Sequence, residues 1–485
     1  MIQKKNSLFL CGLLFLILGI QVYNIDISEY SLCTDRTFYR DVLFTFIDKV
    51  FVTGFDSYYL NKIFPFAVIN SIYELFDISK TDISFLYTLL VVNIGCIVAS
   101  VYLFFLIVKK LKINESWVII GFSMLFFNVH ILGVFHIGFV GSDYWGYLMG
   151  FVLFWIWLSV PNMFVRFFVV LLSAYVAPLL VIVAICLFYF PDKPVELFSD
   201  NIEKKSLLIL RTFKVVAVVA IIPLILALLY LKTGTFNINQ LESLYHRDWY
   251  SHFYLNPLFL LFSVASLIFV LYLMIKPIKL DICDFIRTFV SNFKTQNFLL
   301  IIFALFIILF LNRLMSNGES SWGILGLAKY TVTAVTALPF EILSFQFRYH
   351  GLLVILMILF YKKVLSEYAY LGYGYFFVIL LGLVFVLPVQ PRYIESIVPF
   401  FVFPLLKLMN QYQLKKWVPI VVSLISLLFS RFWLSDIENL KWIEGAGCFQ
   451  YFDVYIVFLF IGSLFLFITY LGIRNNWFTK NFFKL

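Results

Sequence analysis

FVRFFVVLLSAYVAPLLVIVAICLFYF, residues 164–190, decides the topology of this chain. It reads either as one long tilted helix or as two short helices broken around Ser173 to Pro178. The choice matters because one crossing more or fewer moves every later loop to the other side of a bilayer, and the distribution of Lys and Arg arbitrates. With two crossings and the N-terminus inside, inner loops carry 23 of the 36 Lys and Arg residues and outer loops 13. KKLK (109–112), EKK (203–205), KPIK (276–279), YKK (361–363) and LKK (414–416) then all fall inside. The broken hairpin is therefore adopted, and both termini are cytoplasmic.

The same polytopic reading follows from composition. The chain has 485 residues, 63% hydrophobic and 13% charged, which is outside the range of soluble domains and within the membrane class. Spans are expected near 7–23, 84–108, 116–135, 144–160, 164–174, 176–190, 212–231, 257–275, 298–312, 350–361, 371–388, 396–408, 417–434 and 452–473. The expected fold is thus all-α and polytopic, with about 14 transmembrane helices, two of them short, in a single domain over 1–485. QVYNIDISEY follows the first apolar run where a signal-peptide cleavage site would stand, so that run is read as a retained anchor. A net charge of +9 spread over short loops forms no basic face, which argues against nucleic acid. The six cysteines have no CxxC pattern; Cys33 and Cys448 share the outer side and would be the one pair placed to bridge.

Residues 24–83 become the largest outer segment. Within it DRTFYRDVLFTFIDKVF (35–51) and LNKIFPFAVINSIYELF (60–76) have apolar residues at helical spacing, as helices lying along a membrane surface do. WGILGLAKYTVTAVTAL (322–338) is a third stretch of this kind. No internal repeat, heptad, Walker or Rossmann glycine pattern is present.

Ionisable groups at membrane boundaries are the natural carriers of chemistry, and most lie on the outer side. Asp35 is followed by Tyr39, Arg40 and Asp41; the plainer reading is a solvated helix face anchored to headgroups. SDYWGY (142–147) places Asp143 at the start of a span, where it also serves as a cap against the helix dipole. QPRYIES (390–396) sets Arg392, Tyr393 and Glu395 between two apolar spans. Arginine binds phosphate through several charge-assisted hydrogen bonds, and equally serves as an interfacial anchor. FRYHG (347–351) puts Arg348 and His350 at the outer end of another span. None of the five histidines has metal-ligand spacing.

Taken in order, these features resemble the GT-C superfamily of membrane glycosyltransferases, which use polyprenyl-phosphate-linked sugars. TDRTFYRDVLF (34–44) resembles that family's D-x-x-x-Y arrangement early in the first outer loop, and YYLNKIFPF (58–66) its following aromatic stretch. The resemblance implies Asp35 as catalytic base, with Tyr39 and Arg40 beside the substrate. RYIESIVPFFVFPLL resembles the late segment whose arginine faces the lipid phosphate, which implies substrate contacts for Arg392 and Tyr393, and by extension Arg348 and His350. SDYWGY resembles the second outer loop, where Asp143 would help hold the acceptor or a divalent cation; no Asp-x-Asp or Glu-x-Asp pair stands near Asp35. The implied partners are a polyprenyl-phosphate-linked sugar donor, a lipid-linked or glycan acceptor, and the lipids of a bacterial inner membrane. Two other functions fit the same features: an O-antigen or capsule polymerase using undecaprenyl-linked repeat units, and a lipid-linked glycan flippase or secondary transporter. A transporter would show repeated halves and charges at mid-span, and the span centres here are nearly free of charge.

Overall fold

The computed structural model describes residues 4–23, 34–56, 60, 62–132, 141–193, 282–318, 339–386, 392–434, 452–475 and 477. Regular structure among them is helical, apart from one isolated bridge between Phe55 and Ser316. The helices used below are α1 (Lys4–Tyr23), α2 (Thr34–Phe44), α3 (Ile63–Phe76), α4 (Asp82–Lys110), α5 (Glu115–Phe126), α6 (Gly141–Ser159), α7 (Met163–Ala174) and α8 (Pro178–Tyr189). They continue with α9 (Ile282–Asn292), α10 (Thr295–Met315), α11 (Pro339–Tyr370), α12 (Tyr373–Val386), α13 (Arg392–Glu395), α14 (Val398–Met409), α15 (Trp417–Leu434) and α16 (Phe452–Arg474).

Helix α4 shows how local chemistry sets these bounds. The Thr81 hydroxyl accepts from the Ser84 N–H at 3.2 Å, and the Ser84 hydroxyl accepts from the Thr81 N–H at 3.0 Å. This reciprocal cap satisfies two donors that the first turn leaves open. Asp82 in the first turn and Lys109 and Lys110 in the last complement the helix dipole. Two helices, Asp82–Lys110 and Thr295–Met315, are long and apolar enough to cross a membrane.

Each expected span that includes described residues overlaps a helix, without all of these helices reaching spanning length. The expected spans 212–231 and 257–275, the surface stretch 322–338, and Cys33 and Cys448 lie outside those residues. The decisive stretch breaks at Tyr175–Ala177, and α7 and α8 pack against each other as a hairpin. Two short helices were expected, whereas α5 and α14 are equally short at 12 residues each. In the first case Asn128 takes over from the helix: its amide donates to Leu125 O at 2.8 Å and its carbonyl accepts from Ile131 N at 2.9 Å. In the second, Ser396 and Ile397 separate α13 from α14, and Pro399 at the start of α14 has no N–H to extend a ladder backwards. Two further differences are the extent of α11, which runs well beyond 350–361, and α9, which was read as inner loop. Helix α9 packs Phe285 and Phe289 against Tyr373 and Phe377 of α12.

The core is aromatic. Phe104 of α4, Phe126 of α5, Phe151 and Phe154 of α6 and Phe403 of α14 interlock, with ring centroids 4.7 Å apart for Phe154–Phe403 and 5.9 Å for Phe104–Phe403. Such pairs each add about 0.5–1.5 kcal/mol beyond the area they bury. Backbones come closest at two glycines. A Cβ on Gly150 would lie 1.9 Å from Ser396 O, and one on Gly374 would lie 2.0 Å from Cys186 O, the small-residue contact that lets membrane helices approach.

Contacts between distant elements sort by the two ends of the bundle. At one end, Phe64 N donates to Tyr175 O at 2.9 Å, Phe55 N to Met315 O at 2.8 Å, and His350 meets Glu395. At the other, Asn410 Oδ1 accepts from Asn114 N at 2.6 Å, Lys363 donates to the Tyr412 hydroxyl at 2.9 Å, and Asn297 donates to Tyr189 O at 2.8 Å. The first set joins segments that the sequence assigns to the outer side, and the second set joins inner ones. The break at Tyr175 therefore faces the same end as residues 62–66 and the start of α6, as a hairpin requires.

Candidate functional site

Four elements meet at the end that carries Asp143. Helix α6 begins there, α11 loses its helical geometry at His350 (φ −126°, ψ 22°), and α13 ends in Glu395. The tip of the α7–α8 hairpin completes the set, with Ala177 3.7 Å from a Cβ built on Gly146. The close approach at Gly150 presses the turn after α13 onto α6, which places Glu395 beside the first two turns of that helix.

Glu395 is fully buried, and its Oε1 lies 3.7 Å from Nε2 of His350, whose side chain is 3% exposed. Neither carboxyl oxygen has a hydrogen-bond partner among the described residues. Burial raises the Glu395 pKa well above the ordinary carboxylate range, and the nearby charge of Asp143 raises it further. Asp143 is half-buried at the mouth, Tyr144 is buried, and the Tyr147 hydroxyl donates to Leu125 O at 2.8 Å, tying α6 to the end of α5.

A second layer covers this end. The Phe64 ring meets Trp145 edge-on at 5.7 Å, and α2 lies on α3 with Tyr39 stacked on Phe66 at 4.8 Å and 11°. Trp145 Nε1 and the Tyr175 hydroxyl are buried with no hydrogen-bond partner among the described residues. Orphaned polar atoms of this kind call for water or a polar ligand. Others, on Asn93, Ser159 and Tyr189, lie elsewhere in the bundle.

The residues named from sequence divide accordingly. Asp143 and His350 are brought together with Glu395. Residue 348 stands two positions before His350 in α11, and Arg392 and Tyr393 belong to the same four-residue helix as Glu395. Asp35 is in the first turn of α2, in the layer above. Tyr39 is 3% exposed and its ring is spent on packing α2 against α3. Arg40 reaches Asp82 at 3.0 Å and Asp41 at 2.8 Å, fastening α2 to the start of α4. Among the described residues no group of three or more His, Cys, Asp or Glu could hold a metal ion. Sequence reasoning noted Glu395 beside Arg392 without giving it a site role, and it missed Trp145 and Tyr175 as site residues.

No family model, curated protein or solved structure matches the chain. Fold and site together define a class: an all-α helical bundle with helices apolar enough to cross a membrane, and a partly roofed acid, histidine and aromatic cluster at one end.

Proposed function

We propose that the protein is a glycosyltransferase of a bacterial inner membrane, multi-pass with both termini cytoplasmic, that uses a polyprenyl-phosphate-linked sugar on the outer face. The supporting observation is the collection of buried, unsatisfied polar atoms at one end, on Trp145, Tyr175 and Glu395, roofed by the segment that carries Asp35. Sugars offer many hydroxyl groups in a small volume, and aromatic edges with spare donors and acceptors suit them. In this reading the acceptor hydroxyl attacks the anomeric carbon while its proton passes to Asp35. The bond from that carbon to the lipid phosphate breaks, and the phosphate leaves with the electron pair, its charge met by Arg392 and Arg348. One base and a single displacement give inversion at the sugar.

A second reading, transport of a lipid-linked glycan, is favoured by the buried His350–Glu395 couple, since intramembrane acid–histidine pairs also serve proton relays. Mass spectrometry of lipid-linked glycans from cells with and without the gene separates the possibilities. A transferase deficit lacks one sugar, a polymerase deficit leaves single repeat units on the lipid, and a transport deficit accumulates complete units. General-base help supplies about 10²–10⁴-fold, so Asp35→Asn lowers product yield by that factor with folded protein retained. Normal yield from that variant removes Asp35 from the reaction.

A further inference from the structure

We propose that His350 and Glu395 are a positioning pair whose buried contact holds α13 against the break in α11 and thereby sets the spacing of residues 348 and 392. The inference rests on the reading above, in which Arg348 and Arg392 take the phosphate of the donor.

The geometry carries it in three steps. First, α11 runs over 32 residues and loses helical geometry at His350, where the following Gly351 weakens the helix and a tertiary contact holds the break. The side chain of that residue meets Glu395 at 3.7 Å, with the two side chains 3% and 1% exposed. Second, both partners sit close in sequence to an arginine. Residue 348 precedes His350 by two positions, and Arg392 precedes Glu395 by three, so each lies within about one helical turn of the contact. Two arginines on separate elements make a phosphate site only while something fixes those elements together. Third, the titratable groups that face the pair are few. Asp143, Tyr144 and Tyr147 face it from α6 and His350 from α11, while the last turns of α12 hold no titratable residue. Burial disfavours the ionised form of Glu395, and an ionised carboxylate three positions from residue 392 would oppose a phosphate bound there.

The test uses the full-length protein in nanodiscs titrated with undecaprenyl phosphate, undecaprenol and inorganic phosphate. The wild type is expected to bind undecaprenyl phosphate in preference to undecaprenol, with affinity falling as pH rises and Glu395 ionises. His350→Ala and Glu395→Ala each weaken binding about tenfold, and the double variant is no weaker than the worse single one, as members of one pair behave. Glu395→Gln, the neutral isostere, restores affinity to within about threefold and flattens the pH profile. Folded alanine variants that bind like the wild type, or effects that multiply in the double variant, overturn the pair. If the alanine variants do not fold, the pH profile decides alone, and parallel profiles for wild type and Glu395→Gln overturn it. A wild type that does not distinguish undecaprenyl phosphate from undecaprenol overturns the transferase reading and the pair's role with it. Equal binding of inorganic phosphate that is lost in Glu395→Ala upholds the pair and overturns the lipid donor.

Discussion

Gly150 is the position where a single methyl group should do most damage to the site. Its built Cβ lies 1.9 Å from Ser396 O and 3.0 Å from Ser396 C, both backbone atoms that no rotamer change can move away. Ordinary contact begins at 3.4 Å, so Gly150→Ala must drive α6 and the α13–α14 turn apart by about 1.5 Å, the difference between 3.4 and 1.9. Overpacking of this kind costs about 1–3 kcal/mol. Glu395 is the neighbour of Ser396, so displacing that turn disturbs its 3.7 Å contact with His350. Gly374→Ala is the matched control, because its Cβ meets Cys186 O at 2.0 Å at the opposite end of the bundle. Unfolding of both variants in SDS should show similar losses of about 1–3 kcal/mol. Glycan transfer, measured under conditions where both are folded, should fall further in Gly150→Ala than in Gly374→Ala. Gly150→Ala as stable as wild type would refute the close approach, and equal loss of transfer in the two variants would refute the link from Gly150 to the site.

Other expectations concern single contacts. A double-mutant cycle of Arg40→Met and Asp82→Asn should give a coupling of about 0.2–1 kcal/mol that shrinks with salt, because the two side chains are 25% and 54% exposed; a coupling independent of salt contradicts this. Folding holds a proton on Glu395 that the unfolded chain releases above its ordinary pKa of 4.5, so stability falls as pH rises beyond that value. The fall is at most about tenfold in the unfolding equilibrium per pH unit, and Glu395→Gln should reduce the slope between pH 5 and 8, roughly the range where the unfolded carboxylate is ionised. Asn410→Ala removes the bonds to Asn114 N and Lys112 O at the inner end. It should cost about 1 kcal/mol of stability and leave lipid-phosphate binding as it was, since the clasp lies far from the α6 start.

Much of the architecture was legible because a bilayer imposes a length and a charge rule on sequence. The hairpin over 164–190 was read from the sidedness of distant lysines, and the contact of Phe64 N with Tyr175 O agrees with it. The two surface helices were visible in their apolar spacing. Breaks made by side chains were not visible: Asn128 ends a helix only because both its amide groups find backbone partners, and an asparagine in an apolar run does not announce that. Helix α9 was missed because its apolar stripe of Phe285 and Phe289 is too short to look like a span. Asp143 and His350 were named because they stand at span ends. Glu395 was noted beside Arg392, but its burial was not legible, because burial of a carboxylate is a property of its neighbours, here α6, α11 and the turn pressed onto Gly150.

The α7–α8 hairpin has a consequence for where substrates meet the protein. Each arm has 12 residues and reaches about 18 Å, against about 30 Å for a hydrocarbon layer. Its tip is level with Gly146, five residues or about 7 Å below the first residue of α6. On the membrane reading proposed above, the roof formed by Phe64 and its neighbours follows that tip, below the first residue of α6. Local thinning of the lipid is the inexpensive response to such a short segment. For the proposed transferase, a long-chain phosphate would then arrive sideways, without being lifted out of the membrane to be used.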